Sequence, residues 1–72
     1  MTTTIDLYDI DRDGQRTLAD TFTLHDDGTV TYEHGRARAI VATMVRRCGS
    51  LPAAVAALRS WSNGYVATVE RR

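Results

Sequence analysis

Lysine is absent from this chain, and all nine basic residues are arginine. With one cysteine, Cys48, no internal disulfide can form. No apolar run reaches the roughly 18 residues that a membrane-spanning helix needs. The opening stretch MTTTIDLYD carries neither a basic n-region nor an apolar h-region, so the expectation is a soluble cytoplasmic protein with no membrane partner. There is no glycine-rich phosphate loop, and the only histidines are His25 and His34. No nucleophile, base and orienting group can be assembled from such a set. An enzyme is not expected, and neither is a cofactor.

What is present fits one small folded unit over residues 1–72. Hydrophobic residues make up 43% and charged residues 25% of the chain, as in ordinary globular proteins. Seventy-two residues lie near the lower limit for a self-sufficient core. Without a disulfide, tight packing, a metal or a second subunit must help. Using arginine throughout is read as coding bias, because arginine and lysine differ physically mainly at bidentate or stacked sites. The distribution of charge says more. Residues 1–33 hold seven Asp, one Glu and two Arg, a net of −6, and residues 34–72 hold seven Arg and one Glu, a net of +6. The favoured reading is that the halves neutralise each other within one fold. The alternative is a molecule with two faces of opposite sign, suited to self-association or to a charged partner.

Alternation and turn residues predict three strands in the acidic half: Thr3 to Ile10, Arg16 to His25 and Thr29 to Glu33. Asp26, Asp27 and Gly28 read as a three-residue loop that pairs Leu24 with Val30, Thr23 with Thr31 and Phe22 with Tyr32. This register puts Phe22, Leu24, Val30 and Tyr32 on one face. The first hairpin admits two registers, one pairing Tyr8 with Leu18 and the other Ile5 with Phe22. In the basic half, Ile40, Val41, Met44, Val45 and Cys48 recur at helical spacing. Gly49 ends that helix, and Ser50 with Pro52 starts another. Leu51, Ala54, Val55, Leu58 and Trp61 form the second helix's inner side, with Asn63-Gly64 as its cap and Trp61 buried in the core. Tyr65 to Glu70 reads as a closing strand, followed by an exposed Arg71-Arg72 end. The predicted fold is α+β, in the order β-β-β-α-α-β, with a two-helix hairpin on one face of an antiparallel sheet.

Asp9, Asp11, Asp13, Gly14 and Asp20 match the spacing of a calcium-binding loop. The eighth loop position is Arg16 and the twelfth is Asp rather than Glu, and no helices flank the segment. A plain hairpin turn is preferred, and no metal is expected. Cys48 continues an apolar stripe at a helix C-terminus, which favours a packed thiol over a reactive one. Asp26 and Asp27 are read as serving their turn.

Gly49, Val55 and Leu58 fall at a spacing that resembles DNA-binding helix-turn-helix modules, over segment 36–62. The resemblance implies backbone contacts by arginines of the first helix. A recognition helix needs polar side chains for base edges, however, and PAAVAALRSW offers only Arg59 and Ser60. The expected function is therefore a non-enzymatic protein–protein interaction module, self-associating as a homodimer, with nucleic-acid binding as runner-up. Arg36, Arg38, Arg46, Arg47 and Arg59 are the candidate partner-binding residues.

Overall fold

In the acidic half Ile5, Leu7, Phe22, Leu24, Val30 and Tyr32 fall on one face, and these apolar residues decide which face of the sheet is covered. The computed structural model describes residues 2–71. Its elements are β1 (Thr3–Ile10), β2 (Arg16–Leu24), β3 (Val30–Tyr32), α1 (Arg38–Cys48), α2 (Leu51–Leu58), β4 (Ser60–Ser62) and β5 (Val66–Glu70). The five strands form one antiparallel sheet in the order β3-β2-β1-β5-β4. Ile5, Leu7 and Phe22 from the sheet are buried with Val41 and Met44 of α1 and with Ala54, Val55 and Leu58 of α2. The α+β class and the helix pair on one face are as expected from the sequence. No single helix among the described residues is long and apolar enough to cross a membrane.

The β2–β3 hairpin has the expected register: Phe22 faces Tyr32, Thr23 faces Thr31 and Leu24 faces Val30. Asp27 fixes its loop by accepting from the backbone N–H and the hydroxyl of Thr29. The first hairpin uses both candidate registers. Ile5 pairs with Phe22 and Leu7 with Asp20, but Tyr8 pairs with Leu18, so Ala19 is an extra, bulged residue. A bulge reverses which side of a strand each later residue faces. Without it, Leu18 would share the covered face with Asp20 and Phe22. With it, Leu18 stands beside Tyr8 on the opposite face.

The end of the chain differs from the expectation. The second helix stops at Leu58, and Ser60–Ser62 is a short strand paired with β5. Trp61 is therefore on an edge strand, opposite Thr68, and is half-buried rather than buried. Asn63-Gly64 is a hairpin turn and not a helix cap. The Asn63 side-chain carbonyl accepts from the N–H groups of Tyr65 and Val66, and Gly64 takes φ 91°. The Asn63 N–H donates to the Val66 carbonyl, so Gly64 and Tyr65 are the central pair and Gly64 supplies the positive φ of a tight hairpin turn; this turn outweighs the helical spacing of Trp61. Cys48 is exposed and not packed. The chain turns away at Gly49, which has a left-handed φ of 88°, and α2 departs at a bend of 114°. No later turn of helix remains to cover the thiol.

Thr68 is buried between Leu7 and Trp61, and its hydroxyl has no hydrogen-bond partner. A buried hydroxyl without a partner is a standing cost. Thr68→Val keeps the shape and the branched Cβ, so it should raise stability by about 1 kcal/mol in urea titration.

Candidate functional site

The charged side chains are mostly spent within the fold. Asp20 is the clearest case. It lies fully buried in β2, and its two carboxylate oxygens accept from the backbone N–H groups of Thr21, His34 and Ala37, each at 2.8 Å. Ala37, at the start of α1, has no side-chain cap of its own, and the first turn carries no acidic residue. Asp20 supplies both from another strand. Burial pushes its carboxyl up. The N–H groups of Ala37, His34 and Thr21 and the charge at His34 outweigh that and hold it below the usual carboxylate range.

The calcium-like spacing is accordingly not realised as a loop. Asp9 lies in β1 and pairs with Arg36. Asp11 accepts from the N–H groups of Asp13 and Gln15, each at 2.9 Å, and shapes the turn. Asp20 is committed to α1. Among the described residues, no cluster of three or more His, Cys, Asp or Glu is placed to hold a metal ion.

The five candidate arginines are not brought together. Arg36 is paired with Asp9, Arg38 lies 4.7 Å over the ring of Tyr32, and Arg59 is 3.8 Å from Glu70. Arg46 and Arg47, near the C-terminal end of α1, have no carboxylate within ion-pair distance among the described residues. Arg46 donates to the Thr43 hydroxyl at 3.4 Å. Arg71 is exposed, as expected of the chain end, but its charge is not free. Arg71 donates to both oxygens of Asp6, at 2.6 and 3.1 Å, and to the Thr21 hydroxyl at 3.2 Å; Arg72 lies outside the described residues. The Arg36–Asp9 and Arg71–Asp6 pairs join the basic half of the chain to the acidic half.

Two surfaces remain uncommitted. The first is the sheet face turned away from the helices. Tyr8, Leu18 and Ala67 lie side by side across β1, β2 and β5, with Ile10 and Val69 on the same face. None of the five belongs to the helix-covered core. Leu18 is 52% and Val69 41% exposed, while Ala67 beneath them is only 2% exposed. The Asp6–Arg71–Thr21 cluster lies next to this apolar strip. The second surface is a groove of about 320 Å³ between α1 and β4. Ile40, Met44 and Trp61 line it, with Thr43, Arg47 and Asn63 as its polar groups. Sequence reasoning missed both surfaces. The available signals were apolar residues at both parities of β1 and the Asn-Gly turn after Trp61.

Helix α2 has little to offer a nucleic acid. Its exposed residues are Pro52, Ala53, Ala56 and Ala57, and none of them can hydrogen-bond a base edge through its side chain.

Comparisons with protein-family models, curated proteins and solved structures give no match to this chain.

Proposed function

We propose that this chain is a non-catalytic protein-interaction module that pairs with a second copy of itself through the open face of its sheet. The observation that carries this reading is the uncovered apolar strip of Tyr8, Leu18 and Val69 around Ala67. Antiparallel sheets tolerate one wet face, but that face is ordinarily polar. Contiguous exposed apolar surface marks contact sites.

The choice of a second copy rests on charge. In a two-fold contact each patch meets its own duplicate, so a patch of one sign repels itself. The open face carries both signs, because Asp6 and Arg71 neutralise each other beside the strip and Glu33 lies within electrostatic reach of Arg71, while Arg16 next to Ile10 adds one positive charge. The groove, with Arg46 and Arg47, would not tolerate its own copy. Size points the same way. A standard interface covers about 800 Å² per partner, and a short chain without a disulfide gains from such cover. Nucleic-acid binding ranks behind this reading, for want of polar groups on α2.

Leu18→Glu tests the proposal without touching the core. Sedimentation equilibrium at micromolar concentration should show a dimer for the natural chain. The variant should dissociate at least a hundredfold more readily, since like charges brought together in a contact cost several kcal/mol. Its circular dichroism should be unchanged. A natural chain that stays monomeric at high concentration contradicts the proposal.

A further inference from the structure

The groove between α1 and β4 differs from the open face in its chemistry. Its floor is apolar, formed by Ile40, Met44 and the half-buried Trp61, the only tryptophan in the chain. Its polar groups are left as donors. Arg47 is a guanidinium without a carboxylate partner among the described residues. The Asn63 carbonyl is already taken by the N–H groups of Tyr65 and Val66, which leaves its NH₂ uncommitted. The Thr43 hydroxyl accepts from Arg46, which leaves its own proton to donate and holds a second guanidinium beside the groove. A site whose free polar groups are mainly donors, two of them charged, fits a ligand that brings acceptors. Part of the positive charge at this end of α1 compensates the helix dipole, but that compensation requires neither the groove nor its donors.

We infer that this groove is a docking site for an acidic segment of another protein, one that seats an apolar side chain on Trp61 and Met44 and sets carboxylates against Arg46 and Arg47. Tryptophan and arginine are the residues most often found at the energetic centre of such contacts, and methionine adapts to a range of apolar partners. The site is separate from the open sheet face. A second copy is excluded as a symmetric occupant by the like charges already described.

The test uses the full chain and a short synthetic peptide alternating glutamate with leucine. Trp61 emission should shift to the blue saturably as the peptide is added. Affinity should fall about five- to tenfold in Arg47→Gln, as expected for the loss of one charge-assisted contact, and should fall again as salt is raised. The same peptide with glutamine in place of glutamate should bind at least as much more weakly. Arg47 is exposed on α1, so circular dichroism should not change in the variant, and the melting temperature should fall by no more than a few degrees, the share of the helix dipole that Arg47 compensates. Leu18→Glu should bind the peptide as the natural chain does, so failure of dimerisation would leave this result standing. Three outcomes overturn the inference: an emission spectrum that saturating peptide does not move, equal binding of the glutamine peptide, or a response to sodium laurate with none to the peptide. The last would assign the groove to a small amphiphilic carboxylate.

Discussion

Asp20→Ala should lower the thermal midpoint by about 15–30 °C, the largest loss expected from any single substitution outside the apolar core. The reason is the number of groups that depend on one side chain. The carboxylate accepts three backbone N–H groups, and two of the donors, on Thr21 and Ala37, belong to buried residues. A buried donor stripped of its acceptor costs about 1–3 kcal/mol, so the sum is about 3–5 kcal/mol. A chain of 72 residues holds only about 4–10 kcal/mol in total, at ~0.05–0.15 kcal/mol per residue. The damage should be local in origin: α1 loses the acceptor that fixes its start to β2.

Asp20 also sets a pH dependence. Its folded-state carboxyl is held below its usual range, against about 3.9 in the unfolded chain. The stability it contributes is therefore complete above the unfolded value and is lost as the pH falls through the folded one. Unfolding in urea should show stability falling below about pH 4 in the natural chain. Asp20→Asn should start lower and fall less over the same range. It keeps one carbonyl acceptor but turns an NH₂ toward the Ala37 N–H.

Phe22→Ala should be comparably severe, at about 3–5 kcal/mol, while Trp61→Ala should cost only about 1–2 kcal/mol. The spacing of Leu58 and Trp61 suggests the reverse order, with tryptophan at the centre of the core. The structure assigns that place to Phe22, which is 1% exposed between Ile5 and Tyr32, its ring 5.9 Å from that of Tyr32. Phe22 also anchors β3, an edge strand of only three residues. Losing it should loosen Tyr32 and the Arg38 guanidinium stacked on Tyr32. Trp61 has one side on the groove. Its removal should leave circular dichroism largely intact and abolish peptide docking. Chemical denaturation of both variants checks the order directly.

The parts of this fold that depend on local pattern were legible in the sequence. The Asp26–Gly28 loop forces the register that places Phe22 and Tyr32 together, and Gly49-Ser50 with Pro52 marks the break between the helices. What escaped depends on contacts distant in sequence. Asp20 reads as a possible metal ligand until the backbone of His34 and Ala37 is folded onto it. The bulge at Ala19 could not be read from alternation, because both flanking registers satisfy it. That bulge is what turns Leu18 outward, so the open apolar face was hidden with it. Trp61 fits helical spacing and strand chemistry equally well, and the Asn-Gly turn that decides between them also has a second meaning as a helix cap. Among the arginines, composition could not separate Arg36, Arg38 and Arg59, engaged within the fold, from Arg46 and Arg47, which face no carboxylate among the described residues.

The pairing of two copies through the open sheet face can be observed directly by isotope-filtered NMR on an equimolar mixture of labelled and unlabelled chain. Intermolecular contacts should connect the Leu18 and Val69 methyl groups of one copy with the Tyr8 ring of the other, and none should involve Trp61 or Met44. Intermolecular contacts confined to α1 and the groove, or none at all in a sample at high concentration, would contradict the account.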